Sequence, residues 1–127
     1  AVNGAWTVTA YDVDGDGDVD ALAASREEDA VSWYANDGSL GFTQHVLTTA
    51  LVHANDIFAV DLDGDADVDF VAMGYGAYGS GSGSSIEWYE NDGSLGFTEH
   101  TVAADSLGGS AIHVFDVDDD GDFDVVQ

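Results

Sequence analysis

Three short runs of aspartate carry the clearest chemical pattern in the sequence. They occupy residues 12–20, 61–69 and 116–124, and they read DVDGDGDVD, DLDGDADVD and DVDDDGDFD. In each run, carboxylates stand at positions 1, 3, 5 and 9, and position 7 offers a backbone carbonyl. This spacing gathers oxygen atoms around one centre, by the logic of an EF-hand loop compressed from about twelve residues. An all-oxygen ligand set argues against zinc or copper, and a cage of protein carboxylates favours Ca²⁺ over Mg²⁺.

These runs are called the first, second and third aspartate loops below, and each is expected to bind one Ca²⁺, about three ions per chain. The predicted metal ligands, with position 7 acting through its carbonyl, are Asp12, Asp14, Asp16, Asp18 and Asp20 in the first loop, Asp61, Asp63, Asp65, Asp67 and Asp69 in the second, and Asp116, Asp118, Asp120, Asp122 and Asp124 in the third. No catalytic residue and no other cofactor site is predicted.

The turn positions of the three loops differ. Gly17 and Gly121 stand at position 6, where a sharp turn is needed, but Ala66 replaces this glycine in the second loop. We therefore expect some strain, or a different turn, at Ala66. At position 4, Asp119 replaces the glycine of the other two loops and is predicted to face solvent.

The overall charge is lopsided. The 127 residues include 26 acidic side chains and one basic side chain, Arg26, giving a formal charge of −25, although 45% of residues are hydrophobic. Sixteen of the 26 acids lie in the aspartate loops, and three bound Ca²⁺ would bring the formal charge from −25 to −19, which is still strongly acidic. The near absence of Lys and Arg excludes nucleic-acid binding and adsorption to anionic membranes. No apolar stretch is long enough for a membrane helix, so membrane insertion is not expected.

A second motif repeats with the loops. WYANDGSLGFTQH at 33–45 recurs as WYENDGSLGFTEH at 88–100, differing at two of 13 positions, and both copies precede the next loop by the same distance. The loops begin at residues 12, 61 and 116, so the second repeat is six residues longer than the first. The extra residues fall in the Gly/Ser-rich stretch 74–85, which is predicted to be a flexible surface loop. We expect two full repeats, about 4–49 and 53–104, and a half-repeat at about 108–127 in one repeat region covering 1–127.

Each repeat predicts four short strands. Alternating apolar residues precede every aspartate loop, a short apolar segment follows it, and the Asn-Asp-Gly sequences are strong hairpin signals. Four-stranded units with a period of about 50 residues are typical of β-propeller blades. The predicted fold is therefore all-β, with about two and a half blades.

The combination of DxDGDGDxD, WYxNDG and GFT resembles the FG-GAP/VCBS repeats of integrin-α-like β-propellers over essentially the whole chain. The resemblance implies Ca²⁺ in the hairpin between the first and second strands of each blade. It also implies a secreted or cell-surface protein, because family members are mostly adhesive, scaffold or carbohydrate-binding modules. We expect a non-enzymatic calcium-binding module with a structural or adhesive role. The alternatives are a lectin-like module and an accessory segment of a larger secreted enzyme.

Two and a half blades do not close a propeller ring. The chain begins Ala-Val-Asn, and we expect a mature or excised piece. The open alternatives are a segment of a longer protein, a ring of two copies with five blades, and an open stack. The expected partner is accordingly another protein, a glycan, or further copies of the chain.

The remaining candidates are histidines and aromatic residues. His45 and His100 occupy equivalent places and are interpreted as strand residues kept by duplication rather than ligands, and His53 and His113 as incidental. Trp33 and Trp88 are predicted to pack between blades, whereas Tyr34 and Tyr89 on the opposite face are better exposed candidates. Tyr75 and Tyr78 in the Gly-rich insertion are candidates for ligand binding, although a decorated linker is favoured. No nucleophile motif occurs, so the chain is not expected to be an enzyme.

Overall fold

The computed structural model describes residues 3–76, 83–106 and 109–127, and within these ranges the chain is all-β without a helix. The ten strands are β1 (Ala5–Tyr11), β2 (Asp20–Ser25), β3 (Ala30–Asn36), β4 (Phe42–Thr48), β5 (Ala54–Val60), β6 (Asp69–Gly74), β7 (Ser84–Asn91), β8 (Phe97–Ser106), β9 (His113–Phe115) and β10 (Asp124–Val126).

The strands form two four-stranded antiparallel sheets and a strand pair. Their orders are β1-β2-β3-β4, β5-β6-β7-β8 and β9-β10, so every strand pairs with its neighbour in sequence. Four-stranded meanders of this kind are the units of β-propellers. We call the two sheets blade 1 and blade 2, and the strand pair half-blade 3. The all-β, blade-type fold predicted from the sequence is confirmed.

Strand β6 explains why the blades stack. All six of its residues are buried, although successive side chains of a strand point to opposite faces. Phe70 and Ala72 join a core cluster with blade 1, whereas Val71 and Met73 join a second cluster with half-blade 3. Blade 2 is therefore covered on both faces. The larger of these side chains, Phe70, Val71 and Met73, each stabilise the fold by about 1.5–3 kcal/mol relative to their exposed state.

The first core cluster lies between blades 1 and 2. Its buried members are Val13, Leu22, Ala24, Val31, Trp33, Leu51, Ala54, Ile57, Phe70, Ala72 and Tyr89. The second cluster joins Val71, Met73 and Ile86 of blade 2 to Ile112 and Val114 of half-blade 3. The stacking direction places the three aspartate loops side by side, because each loop connects the first two strands of its unit.

The stretch 74–85 differs from its prediction as a continuous loop. Gly74 is the buried last residue of β6, and Ser84 and Ser85 begin β7, so both ends belong to strands. The strand pairing Gly74–Ser85 explains the difference, because the inserted residues extend the connection without unpairing the strands that flank it. Tyr78, one of the two tyrosines singled out in this stretch, lies outside the described residues.

Candidate metal centre

Each aspartate loop connects the first two strands of its unit. The first lies between β1 and β2, the second between β5 and β6, and the third between β9 and β10. The aspartate at position 9 is in every case the first residue of the second strand. The loops therefore begin and end on paired strands, which fixes the separation of their two ends.

The loops bring several of the predicted ligands together. In each group below, three carboxylates each offer an oxygen, and these oxygens lie within 4.8 Å of one another: Asp12, Asp14 and Asp20; Asp61, Asp63 and Asp65; Asp116, Asp118 and Asp124. The other predicted ligands fall outside these groups, namely Asp16, Asp18, Asp67, Asp69, Asp120 and Asp122. Each loop therefore has a three-carboxylate cluster that could hold a metal ion.

Hydrogen bonds within the loops fold each run around its own first aspartate. The position-1 carboxylate accepts a hydrogen bond from the backbone N–H of position 6 in all three loops. The distances are 3.1 Å for Asp12, 3.0 Å for Asp61 and 2.9 Å for Asp116. The position-5 carboxylate likewise accepts one from the N–H of position 7, at 2.8–3.0 Å. The same local turn thus forms three times from the same spacing.

The turn positions require left-handed backbone. At position 6, φ is 95° for Gly17, 79° for Ala66 and 99° for Gly121. Ala66 therefore adopts a conformation that costs a residue with a Cβ about 1–2 kcal/mol, as expected from its replacement of glycine. Asp119 at position 4 is exposed with φ of 61°, a conformation that aspartate tolerates better than most residues.

The position-9 aspartates of blades 1 and 2 are buried and highly bonded. Asp20 is 1% exposed and accepts hydrogen bonds from Val13 N (3.0 Å), Trp33 Nε1 (3.0 Å) and Asn36 N (2.8 Å). Asp69 is fully buried and accepts them from Leu62 N (3.1 Å) and Asn91 N (2.8 Å). These carboxylates attach each loop to the third strand of its own blade.

The Asn-Asp-Gly hairpin completes this attachment. Asn36 Nδ2 donates to Val19 O at 3.0 Å, and Asn91 Nδ2 donates to Val68 O at 3.2 Å, so both side chains bind position 8 of a loop. The Asp18 and Asp67 side chains lie against Gly38 and Gly93, where a Cβ would collide with a carboxylate. The hairpins are thus part of the loop structure. The sequence signal for this attachment is that the aspartate run and the Asn-Asp-Gly motif recur together in the first two repeats.

The electrostatics of the loops fit a cation. Desolvation raises the pKa of the Asp14 carboxyl against the hydrogen bond that it accepts from Asp16 N, and the charges of Asp16 and Asp20 raise this pKa further. Burial also raises the pKa of Asp69, against the opposing effect of the N–H groups of Asn91 and Leu62. Asp12 Oδ1 is buried and has no hydrogen-bond partner among the described residues. A hard cation bound by the first loop would satisfy this oxygen, so the donor set fits the ion that the spacing predicts.

The repeated histidines stack on the repeated tryptophans. His45 pairs with Trp33 across β3 and β4, with ring centroids 4.5 Å apart, and His100 pairs with Trp88 across β7 and β8 at 4.6 Å. Cross-strand packing of this kind stabilises a sheet. The histidines lie apart from the aspartate groups, in agreement with their interpretation as strand residues.

The tyrosines after these tryptophans are less exposed than expected. Tyr89 was predicted to be an exposed candidate, and this is wrong, because Tyr89 is 2% exposed within the first core cluster. Blade 1 covers the face of blade 2 that carries Tyr89, and burial raises the pKa of its hydroxyl well above the ordinary value. Tyr34, on the equivalent face of blade 1, is half-buried.

Antiparallel four-stranded blades with an aspartate loop between the first two strands define a β-propeller-type repeat module. The FG-GAP-like repeat model matches residues 3–72, and the chain belongs to this repeat family. Searches of curated proteins and of solved structures returned no match. Within the described residues, no helix is long and apolar enough to cross a membrane.

Proposed function

We propose that the chain is a calcium-stabilised β-propeller module with a structural or adhesive role outside the cell. The observation that carries this proposal is the recurrence of a three-carboxylate group in each of the three aspartate loops. One such group could be an ordinary acidic turn. Three groups in equivalent loops favour ion binding, since all three contain positions 1 and 3 and each loop is closed by the same hydrogen bond, although the third carboxylate comes from position 9 in the first and third loops and from position 5 in the second.

The ligand chemistry favours Ca²⁺. The groups supply oxygen atoms alone, and the carbonyl at position 7 adds a neutral oxygen, which together suit an ion that takes six to eight oxygen ligands. Mg²⁺ retains several of its waters and needs near-octahedral geometry, so it is expected to bind more weakly. Three divalent ions would remove six of the negative charges from a chain of formal charge −25.

Calcium would act on stability through the repulsion within each loop. Four of the five alternating carboxylates in a loop lie at candidate ligand positions, and their mutual repulsion opposes the compact turn until a cation is bound. Binding free energy then contributes directly to folding. Loops of modest affinity would remain filled in the millimolar Ca²⁺ of extracellular fluids, which supports an extracellular location.

The proposed role is non-enzymatic, and the proposed partner is another protein, a glycan or further copies of the chain. Support comes from the acidic loops, whose carboxylates would be occupied by cations and would thereby lose their basicity. It also comes from the family, because the blade stack is a rigid scaffold that can present its loops and edges to a partner.

Calcium titration tests the proposal. Calorimetry on the EDTA-treated chain is expected to give about three Ca²⁺ per chain, and saturating Ca²⁺ is expected to raise the melting temperature by about 10 °C, the effect of about 2–3 kcal/mol. Mg²⁺ at the same concentration serves as the matched ion control and should have a smaller effect.

Variants identify the loops as the source of the effect. Asp14→Asn and Asp63→Asn should each remove about one ion from the stoichiometry, whereas Glu99→Gln, at an exposed glutamate of β8 outside the loops, should leave the stoichiometry unchanged. A melting temperature that is the same in Ca²⁺ and in excess EGTA would contradict the proposal.

A further inference from the structure

Strand β10 of half-blade 3 has an open edge. In the part of the chain that the structure describes, β10 pairs with β9 alone, whereas the equivalent strands β2 and β6 also pair with a third strand, β3 and β7 respectively. An unpaired edge presents backbone N–H and C=O groups that can bind a further strand. The side of β10 that faces away from β9, called the open edge below, is therefore a candidate interaction surface.

The carboxylate of Asp124 stands at the start of this edge with acceptor capacity that blade 1 uses. In blade 1, the buried Asp20 accepts hydrogen bonds from Trp33 Nε1 at 3.0 Å and from Asn36 N at 2.8 Å, and both donors belong to β3. The equivalent Asp124 is exposed and accepts a hydrogen bond from Val117 N of its own loop. No strand among the described residues takes the place of β3 beside it. The edge thus offers an acceptor for one indole N–H and one backbone N–H.

Blade 2 recognises its third strand through the same groups. Asp69 accepts a hydrogen bond from Asn91 N at 2.8 Å, and Asn91 Nδ2 donates to Val68 O, at position 8 of the loop, at 3.2 Å. Phe123 occupies position 8 in the third loop. The third strands of both blades carry Trp-Tyr-x-Asn, at 33–36 and 88–91. A segment with this motif therefore has donors for both the carboxylate and the carbonyl at the open edge.

Blade 2 also has an incompletely covered aromatic residue next to the missing strand. Trp33 of blade 1 is 2% exposed, in a core cluster to which the third strand of the next blade contributes Tyr89. The equivalent Trp88 of blade 2 is half-buried at the border of the second core cluster. The next unit, half-blade 3, contributes no such tyrosine within the described residues. A third strand with a tyrosine after its tryptophan would complete the cover over Trp88.

The blades also predict the register of the added strand. In each blade, the third-strand Trp lies opposite the second residue after position 9 and the Tyr opposite the first, in the pairs Leu22–Trp33, Val71–Trp88, Ala21–Tyr34 and Phe70–Tyr89. The corresponding residues of β10 are Val126 and Val125. Val126 is 39% exposed, and Val125 packs against the second core cluster. Aromatic residues opposite β-branched residues stabilise a strand pair, so both valines suit this register.

We propose that the open edge of β10 binds an extended segment of another protein that carries Trp-Tyr-x-Asn, and adds it as a third strand. The indole and the Asn N–H donate to Asp124, the Asn side chain donates to Phe123 O, and the Tyr covers Trp88. The formal charge of −25 repels acidic segments, so the residues around the motif are neutral or basic. This inference names a protein partner and rests on the adhesive role proposed above. It is compatible with a bound ion, because Asp20 belongs to a carboxylate group while it accepts from Trp33.

The test uses the full chain labelled with ¹⁵N, in saturating Ca²⁺, and an unlabelled capped peptide with the sequence of residues 30–36, AVSWYAN. The peptide is expected to shift the indole N–H signal of Trp88 in a saturable manner and to leave that of the enclosed Trp33 unchanged. The absence of a saturable Trp88 shift would overturn the inference, as would an equal shift of both signals. Sedimentation without peptide tests a second copy as the occupant: a dimer that the peptide does not dissociate would also overturn it.

Peptide variants test the donors without altering the protein. Trp33→Phe in the peptide keeps an aromatic ring but removes the indole N–H, and N-methylation of Asn36 in the peptide removes the backbone N–H. Each change should weaken binding by about tenfold, equivalent to ~1.4 kcal/mol. A scrambled peptide of the same composition is the control, and equally tight binding of the scrambled peptide would overturn the inference.

A pair of protein variants separates the acceptor from the ion. Asp124→Ala and Asp118→Ala each remove one carboxylate from the same group of the third loop, but only Asp124→Ala removes the acceptor for the added strand. Asp124→Ala should weaken the peptide by at least about tenfold more than Asp118→Ala, and equal losses would overturn the inference. Melting curves with Ca²⁺ and with EGTA keep the two proposals distinguishable. A chain that is stabilised by Ca²⁺ but does not bind the peptide contradicts this inference alone, whereas peptide binding without calcium-dependent melting contradicts the calcium proposal alone.

Discussion

The first and third aspartate loops share one ligand pattern but differ in their surroundings. In the first, Asp20 is 1% exposed and bonded to Val13, Trp33 and Asn36. In the third, the equivalent Asp124 is exposed and accepts a hydrogen bond from Val117 N at 3.0 Å. Half-blade 3 has two strands in the described residues, so the third strand and hairpin that enclose Asp20 have no counterpart there.

This difference separates what the loop does alone from what the blade adds. The hydrogen bond from the N–H of position 6 to the position-1 carboxylate is 3.1 Å long in the first loop and 2.9 Å long in the third. The turn therefore forms in the third loop without a third strand beside it. Burial of the position-9 carboxylate requires the third strand, because the donors that satisfy Asp20 include Trp33 and Asn36. Local spacing therefore determines the turn, and tertiary contacts determine how rigidly the second strand holds it.

The largest predicted effect is at this carboxylate. Asp20→Ala would leave three buried donors without their acceptor, and we expect the free energy of unfolding to fall by about 3 kcal/mol or more. Asp124→Ala removes the same predicted ligand type from an exposed position, and we expect a loss of less than about 1 kcal/mol. Urea unfolding in saturating Ca²⁺ measures both. Equal losses would mean that ion ligation, rather than the attachment to the third strand, determines the stability at position 9.

The hairpin glycine gives a second, smaller test of the attachment. Gly93 has φ of 74°, and a Cβ there would lie 2.5 Å from the Asp67 carboxylate. Gly15 has φ of 72° with open space around it, which makes Gly15→Ala the matched control. We expect Gly15→Ala to lower the unfolding free energy by about 1 kcal/mol from backbone strain alone, and Gly93→Ala to lower it by about 2 kcal/mol.

A double variant isolates the contact between hairpin and loop. Asp67→Ala keeps the position-7 carbonyl but removes the carboxylate that Gly93→Ala would strike. The loss caused by Gly93→Ala should therefore shrink to that of Gly15→Ala in the Asp67→Ala background, as a double-mutant cycle would measure. A full-sized loss in that background would exclude the Asp67 contact as the reason for glycine at position 93.

The fold could be predicted because its signals are local and repeated. The Asn-Asp-Gly hairpins, the apolar alternation and the aspartate spacing each recur, and antiparallel neighbours in sequence are neighbours in space. The burial of Tyr89 could not be read from its own strand. The strand period places Tyr34 and Tyr89 on the same face, but blade 1 covers that face of blade 2. Burial of a repeated residue depends on its position in the stack.

The site could be predicted in its ligand types but not in its attachment. The spacing identified the aspartates that the loops bring together, including Asp12, Asp14 and Asp20. It did not indicate that Asp20 also accepts a hydrogen bond from Trp33, because the 12 residues between them include the rest of β2 and the turn that leads into β3.

The smallest predicted effect compares the turns of the loops themselves. Ala66 adopts a left-handed backbone conformation at position 6 of the second loop. Gly17 adopts the same conformation at position 6 of the first loop, where it has no Cβ to strain. Ala66→Gly removes about 1–2 kcal/mol of backbone strain from the folded state. It also raises the conformational entropy of the unfolded chain, which favours unfolding by about 0.4–1 kcal/mol. We expect a net gain of about 0.5 kcal/mol in the unfolding free energy, and Gly17→Ala should produce the opposite change in the first loop. Parallel unfolding curves in Ca²⁺ measure both, and a lower stability of Ala66→Gly would mean that the methyl group makes a contact whose loss outweighs the relieved strain.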